Sequence, residues 1–288
     1  MQIGVNLMVW RLAFRTEDFP LLAWCQRLGV AGVEIPLHLP LQFDPQRLRA
    51  ELRDLGLGCT ATTHLPQGCS LLRDDERPRG IAALRQAIAA ASALGATLLS
   101  GPVCAPVGEF SGAGPTRREW DSAVSGLRTV AQVAADYGVV VNLEPLNRFE
   151  TYFLTTTADA VRLVEEVGST SLGLLLDTFH MNIEEKSLPH AIRQAGRWLQ
   201  HVHCAENDRG IVGSGHIDWP GVISVLRELG YQGWLTVESF AQPAADFVAA
   251  AIWRPLAASP EELVGQSVRY LQTLVRQRPE DPREDRRQ

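Results

Sequence analysis

The chain is expected to fold as an α/β protein, a single-domain (β/α)8 TIM barrel. Eight short apolar runs alternate with polar loops and longer stretches of helical spacing from one end to the other. Strands that alternate with helices in this way imply parallel β-α-β units. A length of 288 residues matches the size that such barrels reach as one unit. No GxGxxG follows the first run, so the dinucleotide-binding form of the competing fold, an open doubly wound sheet, lacks support.

The strand candidates are IGVNLMVW (3–10), AGVEIPL (31–37), LGCTATTHL (57–65) and TLLSGPV (97–103). They continue with VVVNLEPL (139–146), LGLLLDTFH (172–180), LQHVHCAE (199–206) and WLTVESF (234–240). Between them, DPQRLRAELRDLG opens on Asp44 as an N-cap with Pro45 in the first turn and stops at Gly56. RGIAALRQAIAAASALG, TRREWDSAVSGLRTVAQVAADYG and TTADAVRLVEEVG end on Gly95, Gly138 and Gly168. DWPGVISVLRELG opens on Asp-x-Pro and shows the same glycine stop, and SPEELVGQSVRYLQTLVRQ supplies a last helix. The barrel is assigned to residues 1–277. Residues 278–288, RPEDPREDRRQ, read as a charged, disordered tail.

Composition narrows the function classes. A net charge of −6 and a pI near 5.7 oppose a basic nucleic-acid-binding face. No apolar run reaches the length needed to cross a bilayer. The opening MQIGVNLMVW lacks the pattern of a signal peptide. Five cysteines with no CxxC pair suggest reduced thiols and a cytoplasmic location.

Barrel chemistry sits at the carboxyl ends of the strands, and several ends here carry residues that apolar runs do not favour. The fifth run ends in Glu144, the sixth in Asp177 and His180, the seventh in His203 and Glu206, and the eighth in Glu238. Ionised carboxylates after buried runs are costly unless paired, protonated or bound to a metal. Three carboxylates and one imidazole at one barrel mouth suit Mn²⁺, Mg²⁺ or Co²⁺ better than a thiolate-seeking ion. The segment HVHCAENDRGIVGSGHIDW (201–219) adds glycines that allow a tight loop close to a ligand. His201 reads as a structural strand residue, His216 and Trp219 as fixing the loop and the helix start, and His38 and His190 as solvated. His64 lies near the pocket by its loop position.

The strings NLEPLNRFET, LLLDTFHMNIEE, HVHCAENDRGIVGSGHIDW and VESF resemble the xylose-isomerase-like sugar isomerase/epimerase superfamily. Within it they resemble the ketose 3-epimerases of the D-tagatose 3-epimerase/D-psicose 3-epimerase type. The resemblance covers essentially the whole chain, and ENDRG followed by GxGHxxW is its most specific part. It implies that Glu144, Asp177, His203 and Glu238 hold one divalent ion, Mn²⁺ first. It also implies that Glu150, His180 and Arg209 hold sugar oxygens, and that Glu144 and Glu238 act as acid and base on opposite faces of a cis-enediolate. The implied partners are a free sugar and further copies of the chain in a dimer or tetramer, with no nucleic acid and no membrane. The chain departs from the pattern at Asn6, Leu7 and Met8, where relatives often carry an aromatic, and in GPVCAPVG, where some carry Trp. Other enzymes on the same quartet are an aldose–ketose isomerase of hydroxypyruvate-isomerase type or an inosose-type dehydratase. An endonuclease IV-like nuclease is more remote, given the acidic pI.

Overall fold

A computed structural model describes residues 1–38, 41–241 and 251–277. The proposed tail at 278–288 lies outside the described residues. Eight parallel strands close in chain order into a barrel. They are β1 (Gln2–Asn6), β2 (Gly32–Pro36), β3 (Gly58–Thr62), β4 (Leu98–Gly101), β5 (Val140–Leu143), β6 (Leu172–Asp177), β7 (Leu199–Cys204) and β8 (Trp234–Val237). Closure is made by β8 beside β1, with Val5 level with Val237.

Among the described residues six α-helices follow the segments expected from the sequence, and three more, one before β2 and two between β6 and β7, fall outside those segments. α1 (Pro20–Arg27) joins β1 to β2, α2 (Pro45–Asp54) joins β2 to β3, and α3 (Arg77–Leu94) and α4 (Arg117–Tyr137) follow β3 and β4. Asp44 caps α2 by accepting from the Gln46 N–H, which satisfies one of the orphan donors of the first turn. Gly138 ends α4 in the left-handed region at φ 66°, where a side chain would be strained. α5 (Thr157–Val167) follows β5, α6 (Thr178–Glu184) and α7 (Leu188–Ala195) both lie between β6 and β7, α8 (Trp219–Glu228) precedes β8, and α9 (Pro260–Arg276) comes last.

Every strand stops short of the end of its apolar run, and at two of them a side chain makes the stop. The first stops at Asn6 because its side-chain oxygen accepts the Met8 N–H and turns Leu7–Val9 into a single 3-10 turn. The sixth stops at Asp177, which caps α6 through the Phe179 N–H. His180 therefore sits in the first turn of a helix, not at a strand end.

Side chains alternate across each strand. Val5, Val33, Ile35, Leu99, Val141, Leu143, Leu176, Val202, Leu235 and Val237 are buried within the main hydrophobic cluster. The opposite parity, facing the barrel axis, is unusually polar: Asn6, Glu34, Thr60, Ser100, Asn142, His201, His203 and Thr236 are all buried. Branched apolar layers ordinarily fill such a barrel; here hydrogen bonds such as Asn142 Nδ2 to Ser100 Oγ at 3.0 Å do part of that work. At the amino-terminal end of the strands the indole of Trp234 fills the floor. A Cβ on Gly32 or Gly58 would lie 2.6 or 2.8 Å from its Cη2, and one on Gly4 3.2 Å from its Cε3. Those three glycines make the space the ring occupies.

Candidate metal centre

Glu144 follows β5, Asp177 ends β6, His203 lies one residue from the end of β7, and Glu238 follows β8. One donor atom of each lies within 4.8 Å of all the others. All four are buried, Glu144 the most exposed at 7%. Neighbouring parallel strands set the spacing, with Asp177 level with His203 across the β6–β7 pair.

The orientation of His203 is informative. Its Nε2 is 2.7 Å from Glu34 Oε2 on β2. A carboxylate only accepts, so Nε2 carries a proton. Nδ1 then faces the acids, 3.1 Å from Glu238 Oε1 and 3.9 Å from Glu144 Oε1, with no hydrogen-bond partner of its own. Although burial disfavours a charged ring, Glu238 and Glu34 push the His203 pKa well above its usual value, so Nδ1 is a place for positive charge, supplied by a proton or by a cation bound among the acids.

The electrostatics of the cluster agree. Burial, reinforced by Glu238, pushes the Glu144 carboxyl well above the usual range. Burial raises Asp177 to about 7 although Arg209 pulls the other way. Burial would raise Glu238 as well, but His203 and Arg209 outweigh it and hold it at about 2. Two carboxyls driven upward in a shared buried site are short of positive charge. Three oxygen donors and one imidazole nitrogen fit one divalent ion of hard to borderline character.

Above the cluster opens a cleft. Glu150, His180 and Arg209 line one side, and His38, His64 and Phe240 contribute to the rest. Arg209 is 3% exposed. Its Nη1 lies 3.4 Å from Asp177 Oδ2 and 3.3 Å from Glu238 Oε2, and its Nη2 is 3.7 Å from Glu150 Oε1. The guanidinium stacks 4.1 Å from the Phe179 ring centroid. Its backbone stands at φ 61°, a left-handed conformation that favours glycine and that a functional residue is held in by its surroundings. Here those surroundings include the Arg209 N–H donating to Glu206 O at 2.8 Å and the Ser239 hydroxyl donating to Arg209 O.

His180 is caught between donors from Asn147, whose Nδ2 is also 2.9 Å from Nδ1, and from Arg209. The Asn147 backbone N–H points at Nδ1 at 3.1 Å, and Arg209 Nη2 lies 3.0 Å from Nε2. Burial and Arg209 hold the ring well below its usual pKa, so it is neutral and has one lone pair. With Nδ1 accepting, Nε2–H and the guanidinium present two donors side by side. Such a pair is satisfied by an acceptor oxygen from the cleft.

Some residues sit differently from what the sequence suggested. Glu206, which the sequence places at the end of the seventh run beside His203, turns away into the loop after β7. Its Oε1 accepts from the N–H groups of Asn207 and Ile217, and its Oε2 from Gly213 N–H and Trp219 Nε1–H. His38, expected to be solvated, lines the cleft and stacks on His64 at 4.4 Å between centroids. Burial and the neighbouring His64 depress its pKa to about 3. Glu34 was absent from the sequence-based site altogether, although it is the one charged residue in AGVEIPL. The five cysteines are free, and burial pushes the Cys104 thiol up to about 12 and that of Cys204 higher still. Neither is an activated nucleophile. Among the described residues no helix is long and apolar enough to cross a membrane.

The xylose isomerase-like TIM barrel family matches residues 22–274. A probable ketose 3-epimerase of Synechocystis sp. is 35% identical over 94% of this chain and 96% of its own length. The L-ribulose 3-epimerase of Mesorhizobium japonicum is 34% identical over 88% of each chain. Among solved structures, the D-allulose 3-epimerase of Methylomonas sp. in complex with D-allulose superposes with a TM-score of 0.89. It is 28% identical, over 95% of this chain and 96% of that one.

Proposed function

The chain belongs to the xylose isomerase-like TIM barrel family and is an isomerase, and from that premise we propose that it inverts C3 of a free ketose through a cis-enediolate. The observation that carries this reading is the pair of acids, Glu144 and Glu238, in one buried cluster below a cleft lined by adjacent donors on His180 and Arg209. Relatives named for 3-epimerisation of ketoses support it across nearly the full chain.

In this reading Glu144, Asp177, His203 through Nδ1, and Glu238 hold one divalent ion, with Mn²⁺ favoured over Mg²⁺ or Co²⁺. When bound, the ion supplies Lewis-acid polarisation of the ketose carbonyl. One glutamate takes the C3 proton and the other returns a proton to the opposite face, the two exchanging roles in the reverse direction. His180 Nε2–H and the Arg209 guanidinium donate to the oxygen that gains charge as the C–H bond breaks. Glu150, held by Asn147 Nδ2 at 2.9 Å, accepts from a hydroxyl at the reacting end of the sugar. Phe240, Leu146 and Met8 shield this end of the cleft from water.

The test is a panel of free ketopentoses and ketohexoses incubated with enzyme reconstituted with Mn²⁺, followed by NMR for inversion at C3. Metal analysis should return one ion per chain. Aldose formation without C3 inversion would replace the epimerase reading by an aldose–ketose isomerase on the same residues.

A further inference from the structure

Glu34 lies at the centre of the barrel, one layer beneath the proposed ligands, with 0% exposure. Both of its oxygens are engaged. Oε2 accepts from His203 Nε2 at 2.7 Å and from Asn6 Nδ2 at 2.9 Å. Oε1 accepts from Thr60 Oγ1 at 3.1 Å, with His201 Nε2 also 3.1 Å away. Asn6 Nδ2 additionally reaches Glu238 Oε1 at 3.2 Å, so one amide ties Glu34 to a proposed ligand on the far side of β1. Of the residues in this arrangement only Glu238 lines the cleft.

A buried carboxylate is expensive, and an apolar side chain of similar volume often serves stability as well or better. What an acid does here that a leucine would not is choose a tautomer. The ring nitrogen that a histidine presents is set by the hydrogen bond its other nitrogen makes, and partners of that kind tune ligand basicity and aim. We propose that Glu34 is a positioning residue: it holds His203 with the proton on Nε2, so that the Nδ1 lone pair points into the acid cluster. The inference rests on the metal-centre reading above and deepens it. Glu34, His201 and His203 also bring donor atoms within 4.8 Å of one another, the spacing of a second cation site. Against that use, both Glu34 oxygens already accept hydrogen bonds, from His203 and Asn6 on one and from Thr60 on the other, and His203 Nε2 is taken up as a donor.

The experiment compares wild type, Glu34→Gln and Glu34→Leu in three readouts: Mn²⁺ affinity by titration calorimetry, the melting temperature of the metal-free protein, and ¹⁵N imidazole NMR of the Mg²⁺-loaded protein. Partners of this kind typically contribute about 10- to 100-fold in metal affinity. Glu34→Gln keeps an acceptor without the charge and should weaken Mn²⁺ binding about tenfold, Glu34→Leu about a hundredfold. Wild-type His203 should show a protonated Nε2 and a bare Nδ1, and Glu34→Leu a mixture of tautomers. If Glu34→Leu does not fold, Glu34→Gln decides. Lowered melting temperatures with unchanged Mn²⁺ affinity and tautomer would overturn the inference and leave Glu34 a structural residue. Two ions per wild-type chain would overturn it as well, in favour of a second site. A wild type that binds no ion would remove the metal-centre reading itself, and the inference with it.

Discussion

Glu206→Gln separates a scaffold role from a chemical one at the barrel mouth. Glu206 is 1% exposed and gathers four N–H donors, two on each oxygen, at 2.8 to 3.2 Å. Three of them, from Gly213, Ile217 and Trp219, come from the far end of the loop, so this one carboxylate folds 207–219 back on itself. In the glutamine variant one oxygen becomes an NH₂ group, and whichever way the amide turns, that group faces two donors. Two hydrogen bonds to a charged acceptor are lost, at about 1.5–3 kcal/mol each, which sums to roughly 3–6 kcal/mol. For a chain of this size that is a fall on the order of 10 °C in melting temperature. Arg209 sits three residues along, with its N–H on the Glu206 carbonyl, so a loosened loop also lowers kcat/KM for the ketose. Thermal unfolding and steady-state kinetics on the same preparation check both. Loss of turnover at a wild-type melting temperature would refute the scaffold assignment, because Glu206 would then act on substrate. An unchanged melting temperature and unchanged turnover together would refute the hydrogen-bond accounting.

Glu144→Gln and Glu238→Gln should each abolish C3 inversion, while one of them, if it keeps its ion, still exchanges the C3 proton in D₂O. NMR of a ketohexose with either variant checks this, and near-normal inversion in either would end the two-glutamate mechanism. Arg209→Ala removes a donor from the developing oxyanion and should lower kcat/KM by roughly 10²–10³; normal turnover with a lowered melting temperature would make Arg209 a counter-ion only. Gly32→Ala places a Cβ 2.4 Å from the Gly58 carbonyl oxygen and 2.6 Å from the Trp234 ring. Backbone and buried ring yield poorly, so a loss of about 3 kcal/mol or more is expected in urea unfolding, and an unchanged midpoint would contradict the packing of the floor. Glu228→Ala breaks a pair with Arg193 whose side chains are both about half exposed and screened by solvent, so the urea midpoint should stay at the wild-type value; a clear fall would show that the pair is coupled to something else.

The order of strands and helices was legible because apolar runs, caps and glycine stops are local signals. The four candidate ligands were legible because an acid or histidine directly after a buried run is locally anomalous. Glu206 shows the limit of that rule: it also follows a run, yet its side chain turns into the loop, a choice made by donors 7 to 13 residues downstream. Glu34 shows a second limit. Its partner His203 is 169 residues away, and in the middle of AGVEIPL nothing local distinguishes an acid facing the barrel axis from one facing outward. The matching parity of the HVH pair, which also points at the axis, was the available clue. His38 was misread for a related reason, since stacking on His64 joins two loops that no sequence spacing relates.

The Trp234 floor bears on when this chain can fold. The ring belongs to the last strand, but the hollow that receives it is made by glycines of the first three. The side-chain bond from Asn6 to Glu238 closes the same seam across 232 residues. A nascent chain with seven strands emerged thus has two open sheet edges and an unfilled base, and packing of its amino-terminal half waits on residues not yet synthesised. Contacts of such long sequence separation make closure late and slow, and leave exposed edges in the interim. Native structure is therefore completed only after β8 has left the ribosome, and interruptions of synthesis shortly before Trp234 should yield aggregation-prone chains.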